Sequence, residues 1–116
     1  MGKGGVVAQI GALGEFEHYV LLAALRLGDN AFTAPIVEEL ETRTGRTVAP
    51  AAVYIALRRL ENKGLIRSAL RTDDSAGVTR ERRFVRVTAA GRRTLLRARS
   101  NFERLWAGLD AGTEGA

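Results

Sequence analysis

The chain has no cysteine and one histidine, His18, among its 116 residues. A disulfide framework and a thiolate metal site are thereby excluded, and one imidazole is too few for a zinc cage. Ser68, Ser75 and Ser100 have no histidine near them in sequence, so no acid, base and nucleophile converge and no enzyme is read here. Gly2, Gly4 and Gly5 do not open a phosphate loop, since no Gly-Lys-Ser/Thr follows and no strand pattern precedes them; no cofactor is expected. Long apolar runs are missing too. None approaches the ~18 residues that span a bilayer, and no signal-peptide pattern opens the chain, so the expectation is a cytoplasmic protein with no membrane partner.

What is present is charge of one sign in one place. Hydrophobic residues are 46% and charged residues 27%, a globular composition at a length suited to a single domain. The net charge is +5, and 14 of the 18 Lys and Arg lie between Arg58 and Arg104, against 5 of the 13 Asp and Glu. A polyanionic partner against that stretch is the direct implication.

Hydrophobic spacing sets the elements. Residues 1–14 are glycine-rich and read as a flexible arm. A first helix over Glu15 to Leu27 carries Phe16, Val20, Ala23, Ala24 and Leu27 on one face. Leu21, Leu22 and Leu25 fill most of the rest, which predicts a buried central helix. Gly28-Asp29-Asn30 stops it. Thr33 is the expected N-cap of a second helix from about Ala34 to Arg43, with Pro35 in its first turn. A third helix is expected from Pro50, preorganised for a first turn, to Lys63 before Gly64. Two strands follow, Leu65 to Arg71 and Arg82 to Val87, around a turn-rich tip. Thr88 caps a last helix to about Leu109, and residues 110–116 read as a flexible tail. The pattern is mainly α with a small β-hairpin wing, a winged helix-turn-helix over residues 15–88 with an added C-terminal helix over residues 89–109.

On a helical wheel of the third helix, Leu57, Leu60 and Ala56 fall within about 60° of Val53 and form its core stripe. The opposite side holds Ala51, Ile55, Arg58 and Asn62, flanked by Tyr54 and Arg59. That face suits a major groove: Arg58 to bridge guanine, Ile55 to touch a thymine methyl, Ala51 to admit the backbone, Tyr54 to reach a phosphate. The plainer reading is of solvated arginines and an isoleucine packed on something unseen. Arg71, Arg80, Arg82, Arg83 and Arg86 cluster in the wing, where they suit the sugar-phosphate backbone, while Asp73 and Asp74 argue against the extreme tip. In the last helix Leu95, Ala98, Phe102, Leu105 and Leu109 recur at intervals of 3, 4, 3 and 4, with Trp106 beside them. This seam implies a homodimer, or else a helix folded back on its own domain. His18, beside Glu15 and Glu17, reads as structural or as a surface residue.

Taken together, Gly14-Glu15-Phe16-Glu17, Val20-Leu21-Leu22-Ala23, Val53 to Glu61 with Lys63-Gly64-Leu65-Ile66, and Arg82 to Thr88 with Ala90-Gly91 resemble the PadR-like transcriptional regulators, from about Leu13 to Leu109. The resemblance implies a dimeric winged-helix repressor, paired through its C-terminal helices, with Tyr54 and its neighbours meeting double-stranded DNA; two third helices in successive major grooves then lead to the expectation of an inverted repeat. Ala51-Ala52 stand where the family often has Ser or Thr and Gly, so one hydroxyl contact to phosphate is missing. The single C-terminal helix matches the shorter members and leaves less room for a small-molecule effector, whose identity the sequence does not give. A protein-interaction module and a ligand-sensing regulator with its pocket at the dimer interface are the alternatives.

Overall fold

The computed structural model describes residues 13–74 and 77–109. The expected tail over residues 110–116, and the expected arm apart from Leu13 and Gly14, lie outside the described residues.

The apolar run after Gly14 folds as α1 (Glu15–Leu27), and Gly28 ends it at φ 59°. Val20, Leu21, Ala23 and Ala24 are buried, as the spacing predicts. The expectation of a helix covered all round is corrected at Leu22, which is 46% exposed, and at half-buried Leu25. Among the described residues α1 is covered on only part of its circumference, by α2 (Thr33–Thr44), α3 (Pro50–Asn62), the hairpin and the last helix. The N-cap of α2 is Phe32, in extended conformation, and Thr33 is the first helical residue. No side chain caps that helix, so the capping role expected of Thr33 is not realised.

In α3 the stripe Val53, Ala56, Leu57 and Leu60 is buried as expected. The helix stops at Gly64 (φ 76°), where the Leu65 amide donates to the Leu60 carbonyl at 3.0 Å and the Gly64 amide to that of Glu61 at 2.9 Å. This pattern releases the chain from a helix end while keeping its last carbonyls bonded.

Strands β1 (Ile66–Asp73) and β2 (Arg80–Val87) form an antiparallel hairpin in the register Ile66↔Val87 through Asp73↔Arg80. Both strands run two residues further toward the tip than their composition suggested. Arg82 Nε pairs with Asp73 at 2.7 Å and Thr79 Oγ1 donates to Asp74 at 2.8 Å, so the acidic residues serve the ladder's end. On the other edge of β2 the Val85 amide donates to the Ala31 carbonyl at 2.9 Å, adding a short third rung.

Thr88 joins three elements at once. Its amide donates to the Leu65 carbonyl at 3.0 Å, its hydroxyl donates to the Gly64 carbonyl at 2.8 Å, and the same hydroxyl accepts from the Gly91 amide at 3.0 Å, capping α4 (Ala89–Trp106). Gly91 lies so close to the hairpin root that a Cβ there would stand 2.2 Å from the Leu65 carbonyl oxygen. The helix ends at Trp106, short of the expected Leu109, because Ala107 turns extended and Gly108 takes φ 84°.

Gly91→Ala is therefore expected to destabilise the fold by about 1–3 kcal/mol, since a backbone oxygen cannot yield as a side chain does. Thermal unfolding followed by circular dichroism checks this. At ~4–8 °C per kcal/mol the midpoint should fall well outside experimental scatter.

Candidate nucleic-acid interface

Burying Val53, Ala56, Leu57 and Leu60 turns the opposite side of α3 outward by helical geometry alone. Ala51, Tyr54, Ile55, Arg58, Arg59 and Asn62 are all exposed, Tyr54 at 51% and Ile55 at 49%. Tyr54 and Arg58 are also partners: an Arg58 Nη donates to the tyrosine hydroxyl at 3.2 Å, with the guanidinium 5.9 Å from the ring centre. Arg59 points the other way. It lies 3.9 Å from Glu17 on α1, which also holds Lys63, so that flank of α3 is tied to the scaffold.

The wing divides its arginines by strand parity, because successive side chains alternate between faces. Ile66, Val85 and Val87 turn one face toward the core, and the register puts Ser68, Leu70 and Arg83 on that same inner face. Arg83 Nη1 donates to Ser68 Oγ at 3.1 Å, and Ser68 donates to Glu61 of α3 at 3.0 Å. Arg67, Arg71, Arg80, Arg82 and Arg86 share the outer face with Phe84. There Arg71 stacks 3.7 Å from the Phe84 ring centre and donates to the Asp29 carbonyl at 2.6 Å, while Arg86 pairs with the Asp29 carboxylate. Arg82 stacks 4.8 Å from the Phe32 centre, and the two phenylalanine rings lie 4.9 Å apart and tilted. Of the predicted wing residues, Arg83 is linked through Ser68 to α3, Arg71 and Arg86 brace the hairpin against Asp29 of the Gly28–Asn30 turn, and Arg82 stacks on Phe32 just after it. Sequence reading missed Phe32, Asp29, Ser68 and Glu61. The strand register, once known, is the signal that would have found Ser68.

At the other end of the molecule the seam is narrower than its spacing suggested. Leu95 is 5% exposed and belongs to the chain's own core, a correction to its place in a subunit contact. Ala98 is half-buried, and Phe102, Leu105, Trp106 and Leu109 are exposed, Leu105 at 72%. Leu109 lies beyond the helix. Between α1 and α4 runs an open groove of about 850 Å³ walled by Leu13, His18, Tyr19, Leu22, Phe102 and Leu105. Burial in that wall lowers the His18 pKa from its usual 6.5. The Tyr19 hydroxyl, bonded to Glu15 at 3.1 Å, has its pKa raised by that bond. Among the described residues no group of acidic, histidine or cysteine side chains is arranged to hold a metal ion, and no helix is long and apolar enough to cross a membrane.

The sequence profile of the transcriptional regulator PadR-like family matches residues 21–97. No curated protein is similar enough to be matched. Among solved structures, a PadR-like transcription factor from Bacteroides fragilis superposes with a TM-score of 0.66 at 21% identity, over 87% of this chain and 91% of that one. A PadR family regulator from Eggerthella lenta DSM 2243 gives 0.62 at 24% identity, over 94% and 93%. Bacillus subtilis PadR, solved in complex with operator DNA, gives 0.52 at 24% identity over 67% of this chain and 43% of that one. At these identities the likeness is one of fold, and the fold is the winged helix.

The ring and guanidinium stack makes a prediction about the wing. Phe84→Ala removes the seat of Arg71 and the partner of Phe32, and should speed hydrogen exchange at the Val85 amide well before the helices respond. Exchange followed by mass spectrometry checks it; equal acceleration throughout the chain would show that the stack supports the whole core instead.

Proposed function

Because the chain belongs to the PadR-like family of transcriptional regulators, we propose that it binds double-stranded DNA as a homodimer and represses transcription by occupying an inverted repeat. The observation that carries this reading is the outer face of α3, where exposed Tyr54 and Ile55 sit among exposed arginines while the reverse stripe is fully used by the core. Among the described residues, half-exposed Ile55 beside Arg58 has no role in the hydrophobic core. Against a base edge it has one, as an apolar contact to a thymine methyl. Arg58, one turn on from Tyr54, is assigned to a base, with Ala51 and Asn62 lining the same approach. Arg83 is assigned to a phosphate beside the wing, and Arg71, Arg80 and Arg82 to the duplex flank nearest the hairpin. The operator complex of the Bacillus subtilis neighbour supports a DNA partner for this fold.

The dimer reading rests on α4. A stripe of Ala98, Phe102, Leu105 and Trp106, with Leu109 just past the helix, is continuous with exposed Leu22 across the groove. Apolar surface of this extent on a small charged domain marks an interaction site. A second copy offers the matching surface by symmetry and would set two α3 helices about 34 Å apart, one duplex turn. Its setting is the cytoplasm. A ligand-sensing role has one observation in its favour, the 850 Å³ groove with Phe102 on its wall.

Selection of duplexes from a random pool, followed by gel shift, tests the DNA reading, and absence of binding at low salt would sink it. Arg58→Ala should weaken the selected duplex by ~1–3 kcal/mol and relax choice at one base position. An equal loss on every sequence would move Arg58 to the backbone. Leu105→Asp should convert the protein to monomer in sedimentation velocity, with the circular dichroism spectrum unchanged, because that side chain touches little of its own chain.

A further inference from the structure

One polar chain crosses from the wing to α3, and it runs through a residue with no assigned role. Arg83 Nη1 donates to Ser68 Oγ at 3.1 Å, and the Ser68 hydroxyl donates onward to both carboxylate oxygens of Glu61, each at 3.0 Å. A hydroxyl has one proton and two lone pairs, so a serine can accept from a guanidinium and donate to a carboxylate at once. Strand geometry favours the arrangement. Ser68 and Arg83 are diagonal neighbours on the inner face, since Ser68 opposes Val85 and Arg83 opposes Leu70. Helix geometry supplies the rest. Glu61 follows Arg58 by three residues and so lies on the same side of α3, at the flank that meets the hairpin.

An arginine side chain left free on a strand samples many rotamers, and that freedom is lost on meeting a phosphate. We propose that Ser68 and Glu61 are positioning residues that hold the Arg83 guanidinium at a set offset from Arg58, so that wing and α3 meet one duplex in register. The inference rests on the DNA-binding reading of α3 and the wing. The Glu61 carboxylate has a second effect there. Its negative charge on the Arg58 side of α3 would repel any phosphate that approached without Arg83 interposed.

The test is a double-mutant cycle on the full chain: wild type, Ser68→Ala, Arg83→Ala and the double variant. Binding is read by fluorescence anisotropy, on a duplex selected by the wild type and on a random-sequence duplex of equal length, between 50 and 200 mM salt. Ser68→Ala is expected to weaken the selected duplex roughly three- to tenfold, the worth of one hydrogen bond. The salt dependence should not change, because no phosphate contact is removed. Arg83→Ala should flatten the log-log salt slope by about 0.9. In the Arg83→Ala background Ser68→Ala should have no further effect, and Ser68→Thr, which keeps the hydroxyl on a β-compatible side chain, should by itself bind like wild type. A loss of the same size in both backgrounds, or no loss from Ser68→Ala alone, overturns the positioning role and leaves the DNA reading standing. Wild-type protein that binds neither duplex overturns the DNA reading and this inference with it.

Discussion

The junction of Thr88 and Gly91 with Gly64 and Leu65 is the contact on which the arrangement of the molecule depends. Three elements end or begin there: α3 releases its chain at Gly64, β2 delivers its chain at Val87, and α4 starts at Ala89. One threonine satisfies a carbonyl from the first and an amide from the last, and its own amide closes the hairpin root. Groups at helix ends and strand ends are the ones most apt to be left unpaired on burial, and here they satisfy one another. The glycine at position 91 is a steric requirement of that junction, since the backbone of α4 packs directly against the Leu65 carbonyl. Both the wing's attitude to α3 and the direction in which α4 leaves the domain follow from it.

The charge on the wing has two uses, which only the strand register separates. On the outer face three of the arginines, Arg71, Arg82 and Arg86, contact the protein itself, through Phe84, Phe32, Asp29 and Asp73. Exposed ion pairs of this kind contribute little each, but stacking on aromatic rings adds geometry that a lone pair lacks. The result is a hairpin held against the turn after α1. On the inner face Arg83 is turned toward α3, where it donates to the Ser68 hydroxyl, and among the described residues it has no direct ion pair.

The two ends of the molecule have complementary incompleteness. The α3 face is apolar and cationic together, a mixture that suits a base edge between phosphates. The α1 and α4 face carries a wide groove whose apolar wall, Leu13, Leu22, Phe102 and Leu105, is edged by Glu15, Arg97 and Asn101, and it is the surface on which the proposed dimer would close. The junction at Thr88 links them, so the spacing of two DNA-reading helices in the proposed dimer would be transmitted through a few hydrogen bonds between α3, the wing and α4.

Local rules were enough for much of this. The spacing of Val53, Ala56, Leu57 and Leu60 determined which side of α3 is core and therefore which side faces out, because 100° per residue admits one answer. Gly28, Gly64, Pro50 and Thr88 marked element ends through backbone chemistry that needs no tertiary context. The basic bias between Arg58 and Arg104 was visible as composition. Other features depended on partners distant in the chain. Leu22 is exposed and Leu95 buried, although the periodicity of each helix treats them as ordinary apolar positions, because coverage depends on where neighbouring helices lie. The two extra pairs of the hairpin needed Asp73 and Arg80 to meet across the turn. Which arginine braces the wing and which faces α3 was decided by register, where a shift of one residue exchanges the two faces. The sequence by itself determined the helices, their core stripes and the regional excess of positive charge, since these are periodic or summed properties. Only the tertiary structure decided how the cations divide, because that requires knowing which side chains from different elements stand within hydrogen-bonding distance.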